Sequence, residues 1–171
     1  MSITFLLFLI LPLIMIAAGI SDLISFRIPN IFSAILALAF IPFAISANVS
    51  LAEFGIHAGI SFTILLVGFF LFSAGWLGAG DAKLLAASSL WFSGLDLLVY
   101  LVFVALAGGV LSLAILIMRN QPLPAFILKF QWIKQIYTPA QKGRDVPYAV
   151  AMMAGLLWIL PDLKIMELAA L

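Results

Sequence analysis

Long stretches without a charged side chain govern what this chain can become. Residues 1–21, 31–47, 55–73 and 97–118 contain no Asp, Glu, Lys or Arg. Each approaches or exceeds the ~20 apolar residues that carry a helix across a hydrocarbon core. Two shorter apolar stretches, around 82–94 and 146–160, span only if they tilt little or begin in their polar flanks. Hydrophobic residues make up 66% of the 171 residues and charged ones 9%, against roughly 25% charged in soluble domains. So much apolar surface has no place inside a small water-soluble fold. The reading is an all-α, polytopic membrane protein with about six transmembrane helices, residues 1–171 forming one membrane-embedded domain with the lipid bilayer as its first partner.

The first stretch has no Lys or Arg before Arg27 and no small-residue cleavage site, so it reads as a retained helix rather than a secretory signal. A chain without cysteine has no disulfides, no thiolate-bound metal and no cysteine nucleophile. The formal net charge of +1 carries no nucleic-acid signature.

Because a charge at mid-bilayer costs about 2.5–3.5 kcal/mol on insertion scales, the few charges report on orientation. Six spans put the loops at 22–30, 74–83 and 119–145 on one side, and these hold seven of the eight basic residues; only Lys164 lies on the other. Glu53, Asp96, Asp162 and Glu167 fall in the opposite loops or tail. Short cytoplasmic loops collect Lys and Arg. The three basic loops are therefore expected inside and both termini outside.

This topology brings Asp22, at the end of the first span, and Asp81, at the start of the fourth, to one membrane boundary. Two neighbouring carboxylates in a low dielectric share a proton, one serving as base toward a water and the other as acid toward a carbonyl oxygen. That is the pairing peptide hydrolysis needs, although spacing alone leaves open that each Asp merely flanks a helix. Gly78-Ala79-Gly80-Asp81 adds two glycines before the acid, where the backbone can take a positive φ or admit a closely approaching chain. Lys83 reads as snorkelling to the interface, with a neighbouring carboxylate as its other choice. Around Asp22 the chain reads Ser21-Asp22-Leu23-Ile24-Ser25-Phe26-Arg27-Ile28-Pro29-Asn30. Pro29 and Asn30 restart the next helix, and Arg27 anchors topology.

An acid followed by a basic residue and Ile-Pro-Asn, then Gly-x-Gly-Asp-x-Lys opening a later span, resembles the type IV prepilin peptidases, particularly the short forms of tight-adherence (Flp) pilus systems. Val146-Pro147-Tyr148-Ala149-Val150-Ala151, followed by Gly155, resembles the segment that opens the family's last helix. The resemblance implies a multi-pass enzyme of the inner (cytoplasmic) membrane, an aspartic endopeptidase that removes the basic leader of prepilins or pseudopilins at the cytoplasmic face. Asp22 and Asp81 match the catalytic pair. Gly78, Gly80, Lys83, Arg27, Pro29, Asn30, Pro147 and Tyr148 match the motif positions that shape the site. Longer members carry a cysteine-containing metal-binding region and methylate the new N-terminus. With no cysteine and no room for that region, this chain is expected to cleave without methylating, and to need neither metal nor cofactor.

The remaining features have plainer readings. His57, the only histidine, reads as an interfacial side chain with its hydrogen bonds satisfied. Phe126, Phe130, Ile133 and Tyr137 recur at helical spacing within 125–137, with Lys129, Lys134 and Gln135 largely elsewhere. That is the pattern of an interfacial helix anchored against acidic headgroups. Gly108, Gly109 and Gly155 lie where small residues permit close packing. The residues leave the oligomeric state open. A small transporter or channel subunit, handling cations or protons at Asp22 and Asp81, is the alternative from another class. It sits poorly with acids at one boundary and no evident inverted halves. Presenilin-like proteases share Gly-x-Gly-Asp but lack the Ile-Pro-Asn match.

The topology is checked by a Lys134→Cys variant in this cysteine-free background. An impermeant thiol reagent is expected to leave it unlabelled in intact spheroplasts and to label it after lysis.

Overall fold

The computed structural model describes residues 2–92, 94–119 and 146–163, and among the described residues every regular element is a helix, with no strand. The interfacial helix expected over 125–137 lies outside the described residues. In chain order the helices are α1 (Ile3–Phe8), α2 (Ile10–Ser25), α3 (Asn30–Ser46), α4 (Leu51–Ser73), α5 (Ala79–Ser89), α6 (Gly94–Arg119) and α7 (Tyr148–Ile159), which ends in a 3₁₀ turn at Leu160–Asp162.

Local chemistry sets the ends of these elements. Pro12 has no N–H to offer the carbonyl of Phe8, four residues earlier, and the first helix is interrupted next to that carbonyl, at Leu9. α1 and α2 nonetheless continue as one apolar path over Ile3–Ser25, long enough to cross a membrane. It therefore runs one turn past the expected end at Ser21, so Asp22 sits inside the last turn of α2. Ser50 caps α4, accepting from the N–H of Glu53, and the Glu53 carboxylate accepts from the N–H of Ser50 at 2.9 Å.

Packing follows a continuous order. α6 lies on α7, α7 on α2, α2 on α3, α3 on α5, and α5 on α4, while α5 also touches α7. The helices α2, α3, α5 and α7 thus form a closed ring, with α4 and α6 applied to its outside. These two outer helices are long and apolar enough to span, as Leu51–Ser73 and Gly94–Met118. On α4 only Gly68 is buried, and large side chains such as Phe62, Phe70, Leu106 and Val110 project outward. Outward apolar faces of this length suit lipid rather than water.

α5 is built differently. It begins in its polar flank at Ala79, as a short span must, but is only about 16 Å long, roughly half a hydrocarbon core. Asp81, Ala82, Leu84, Ala86, Ala87, Ser88 and Ser89 are all buried. Below it, fully buried Trp91 packs on Phe40 and Phe43, with ring centroids 5.7 and 5.0 Å away, and its Nε1 donates to the carbonyl of Leu36 at 3.2 Å. Phe92 stacks on Tyr100 at 4.5 Å, and the Tyr100 and Ser88 hydroxyls meet at 3.3 Å. Ser61 of α4 and Ser89 of α5 both donate to the carbonyl of Ala86 at 2.7 Å. This end of the ring is closed by aromatic packing in which the Trp91 Nε1 and the Ser88, Ser89 and Tyr100 hydroxyls are paired.

Between lipid-facing helices there is little hydrophobic gain in contact, so close packing carries the association. A Cβ on Gly68 would come within 2.8 Å of the Ala82 Cβ, and one on Gly155 within 3.0 Å of Val104. Gly108 faces Tyr148 and Ala151, but Gly109 is exposed and has no described residue within 4 Å, so among the described residues the packing role expected of it is not found.

Gly68→Leu should separate α4 from α5 and destabilise the protein by about 1–3 kcal/mol, seen as a lower thermal unfolding midpoint in detergent. Gly109→Leu, at a position of equal sequence character but open space, should not lower it.

Candidate active site

Three chain segments meet at the end of the ring opposite the aromatic packing: the α2–α3 connection, the α4–α5 connection, and the start of α7. They enclose a cavity of about 550 Å³ lined by residues 26–30 and 77–81, by Phe72, Gly75 and Val146, and by Asp22. Asp22 and Asp81, from facing sides of the ring, thus share one cavity, and both are buried, at 5% and 9% exposure. Glu53 near the start of α4, Asp96 in the first turn of α6 and Asp162 after α7 belong to the other end of the bundle.

Asp22 is fixed from two directions. Its backbone carbonyl accepts the Phe26 N–H at 2.8 Å, closing α2 with Phe26 in the left-handed region at φ 51. A non-glycine residue there is uncommon and costs about 1–2 kcal/mol. The strained residue is itself part of the cavity wall. The Ser21 hydroxyl donates to the carbonyl of Arg27 at 3.0 Å and ties the turn to its helix. On the side-chain side, Asp22 Oδ2 accepts the backbone N–H of Ala149 at 3.0 Å.

Asp81 is the third residue of α5, whose N-cap is Gly78. The carboxylate folds back so that a Cβ on Gly78 would collide with Oδ2. Its other oxygen, Oδ1, is buried and has no hydrogen-bond partner among the described residues. An unsatisfied buried acceptor costs roughly 1–3 kcal/mol, and a polar cavity beside it is where water or a substrate group would supply the missing donor.

The glycines of Gly-x-Gly-Asp act through space. Gly78 has φ −73, and among the described residues the positive-φ glycines are Gly75 and Gly94. Of the two roles expected for the pair, close approach is the one found: Gly78 makes room for the Asp81 carboxylate, and a Cβ on Gly80 would come within 3.1 Å of Ile28 Cβ. The α2–α3 connection is seated directly on α5. Lys83 completes this junction, its Nζ donating to Asn30 Oδ1 at 3.1 Å. The ammonium therefore bridges the two motifs rather than reaching only for the interface.

Arg27, Pro29, Asn30, Gly78 and Gly80 line the cavity, whereas Lys83, Pro147 and Tyr148 are not among its lining residues. Pro147 precedes α7 as its N-cap and Tyr148 begins the helix. Phe26, Phe72, Leu77 and Ala149 carry no chemical side-chain signal and were not expected at the site. For Ala149 the available hint is the proline two residues earlier. His57 lies elsewhere, its ring centroid 5.4 Å from that of Phe40. Its buried Nδ1 has no hydrogen-bond partner among the described residues, so the expectation of a satisfied histidine fails. Among the described residues no group of three or more His, Asp or Glu side chains is placed to hold a metal ion.

No curated protein and no solved structure matches the chain. The family model described as the type IV leader peptidase family matches residues 9–113, a segment that includes Asp22 and Asp81.

Gly78→Ala keeps an allowed backbone but places a methyl group where Asp81 Oδ2 lies. Leader-peptidase activity should fall on the order of 10–100-fold, with membrane abundance near wild type, as read by immunoblot of product and enzyme.

Proposed function

The chain belongs to the type IV leader peptidase family, and on that premise we propose that it is an aspartic endopeptidase with Asp22 and Asp81 as its catalytic pair. A membrane peptidase is what the family and the apolar helices establish. The carboxylate mechanism, the prepilin or pseudopilin substrate and the cytoplasmic face are the further reading. The observation that carries it is the cavity shared by two buried carboxylates drawn from distant parts of the chain.

Hydrolysis then proceeds by proton exchange between the pair. One carboxylate takes a proton from a water as its oxygen attacks the scissile carbonyl carbon, and the other, protonated, gives its proton to the carbonyl oxygen. The tetrahedral diol collapses as the C–N bond breaks. The proton gained by the first group passes to the leaving nitrogen, and a diol hydroxyl returns a proton to the second. The pair ends as it began.

Arg27 and Lys83 in the loops at 22–30 and 74–83, with no basic residue in the loops at the other end before Lys164, favour a cytoplasmic position for this end of the bundle. A leader of basic character would meet the cavity there, with the substrate's hydrophobic helix left in the bilayer. Cleavage without methylation rests on the missing cysteines. The transporter alternative draws on no feature of the cavity that hydrolysis leaves unexplained.

The test is co-expression with a prepilin and mass measurement of the product. Wild type should shorten it at the leader junction and add no methyl group. Asp22→Asn and Asp81→Asn should each reduce processing by on the order of 10³-fold or more, and the double variant should be scarcely worse, because residues that act as a unit are non-additive. Asp96→Asn and Asp162→Asn, at the other end, should process normally. All variants should accumulate in the membrane, since Asn avoids the cost of a buried charge. Normal processing by either catalytic-pair variant would remove the carboxylate mechanism and reopen the transporter reading.

A further inference from the structure

The first backbone N–H groups of a helix have no partner within it. In α7 they are disposed unequally. Pro147, buried at the N-cap, has no N–H, and the Val150 N–H turns back to the Pro147 carbonyl at 3.1 Å. The Ala149 N–H leaves its own helix altogether and donates to Asp22 Oδ2 at 3.0 Å. Ala149 is completely buried, so water does not compete for that donor.

The register that permits this contact is set one turn away. A Cβ on Gly19 would meet Met153 Sδ at 2.8 Å and Met153 Cβ at 3.2 Å. Gly19 precedes Asp22 by one turn, and Met153 follows Ala149 by one turn, as antiparallel neighbours require. The bare glycine lets α2 and α7 approach closely enough for a main-chain donor to reach the carboxylate. A hydrogen bond to an ionised acceptor is shorter and stronger than a neutral one. It holds one oxygen of Asp22, while Oδ1 receives no hydrogen bond from a described residue. Exchange of protons at a dyad needs the reacting oxygen held to a fraction of an ångström.

We infer that the backbone N–H of Ala149 is a positioning group for Asp22, fixing Oδ2 so that Oδ1 is the oxygen that exchanges protons during hydrolysis. The start of α7, outside the segment matched by the family, is thereby a working part of the site. The inference rests on the proposed role of Asp22 as one of the catalytic pair.

The test removes one hydrogen-bond donor without altering a side chain. Lactic acid incorporated in place of Ala149, by nonsense suppression during cell-free synthesis into lipid nanodiscs, replaces the N–H by an ester oxygen. The corresponding hydroxy acid in place of Val150 removes the neighbouring N–H, which bonds within the turn. Asp22→Asn is prepared in parallel. The ester at 149 should lower kcat on the order of tenfold or more, with KM and the thermal midpoint unchanged, and the ester at 150 should leave kcat unchanged. Unaltered kcat at 149 beside an inactive Asp22→Asn overturns the positioning role and leaves the carboxylate mechanism standing. Equal losses at 149 and 150, or a loss at 149 that tracks a lower midpoint, overturn it in favour of a structural role for the turn. An active Asp22→Asn overturns the mechanism on which the inference rests.

Discussion

A helix of eleven residues reaches only about halfway through a hydrocarbon core, and the arrangement of the bundle answers that shortfall in α5. Its small side chains let α3, α4 and α7 close in, which keeps its backbone and its carboxylate away from lipid. Trp91, Phe92 and Tyr100 fill the depth that the helix does not reach, with Trp91 Nε1 and the Tyr100 hydroxyl paired within the protein. Its other end, at Gly78, opens on the cavity. The short helix therefore decides where polar chemistry can exist in an otherwise apolar molecule, and the two longest exposed helices remain outside it.

Burying two carboxylates in so small a bundle sets stability against chemistry. Asp22 has a main-chain donor on one oxygen. Asp81 has an oxygen without a described donor, beside a cavity able to hold one. A wall residue, Phe26, is held in a left-handed conformation that glycine would adopt more readily. Departures from optimal local chemistry of this kind concentrate at functional sites, where the surrounding structure compensates for them.

The two short motifs prove to be halves of one contact. Ile28 sits where a Gly80 side chain would be, and Asn30 accepts from Lys83. Neither half explains itself in sequence. A glycine before an acid can mean a turn, a positive φ or a close approach, and a lysine at a helix start can mean an interface anchor or an ion pair. The choice depends on what the other segment brings to it.

Much of the architecture was written locally. Charge-free runs set the helices because an inserted charge is costly wherever the chain goes, and the alternation of basic loops carried Asp22 and Asp81 to one end. The restart of a helix at Pro29 and Asn30 followed from proline geometry, whereas the Ser50 cap, which starts α4 at Leu51 rather than near residue 55, came from the structure. Tertiary structure decided what has no side-chain signature: the short reach of α5, the outward face of Gly109, and the Ala149 donor on Asp22. A backbone N–H is the same group at nearly every residue, and whether it meets its own helix, the solvent or a carboxylate 127 positions away depends on how closely two helices can approach.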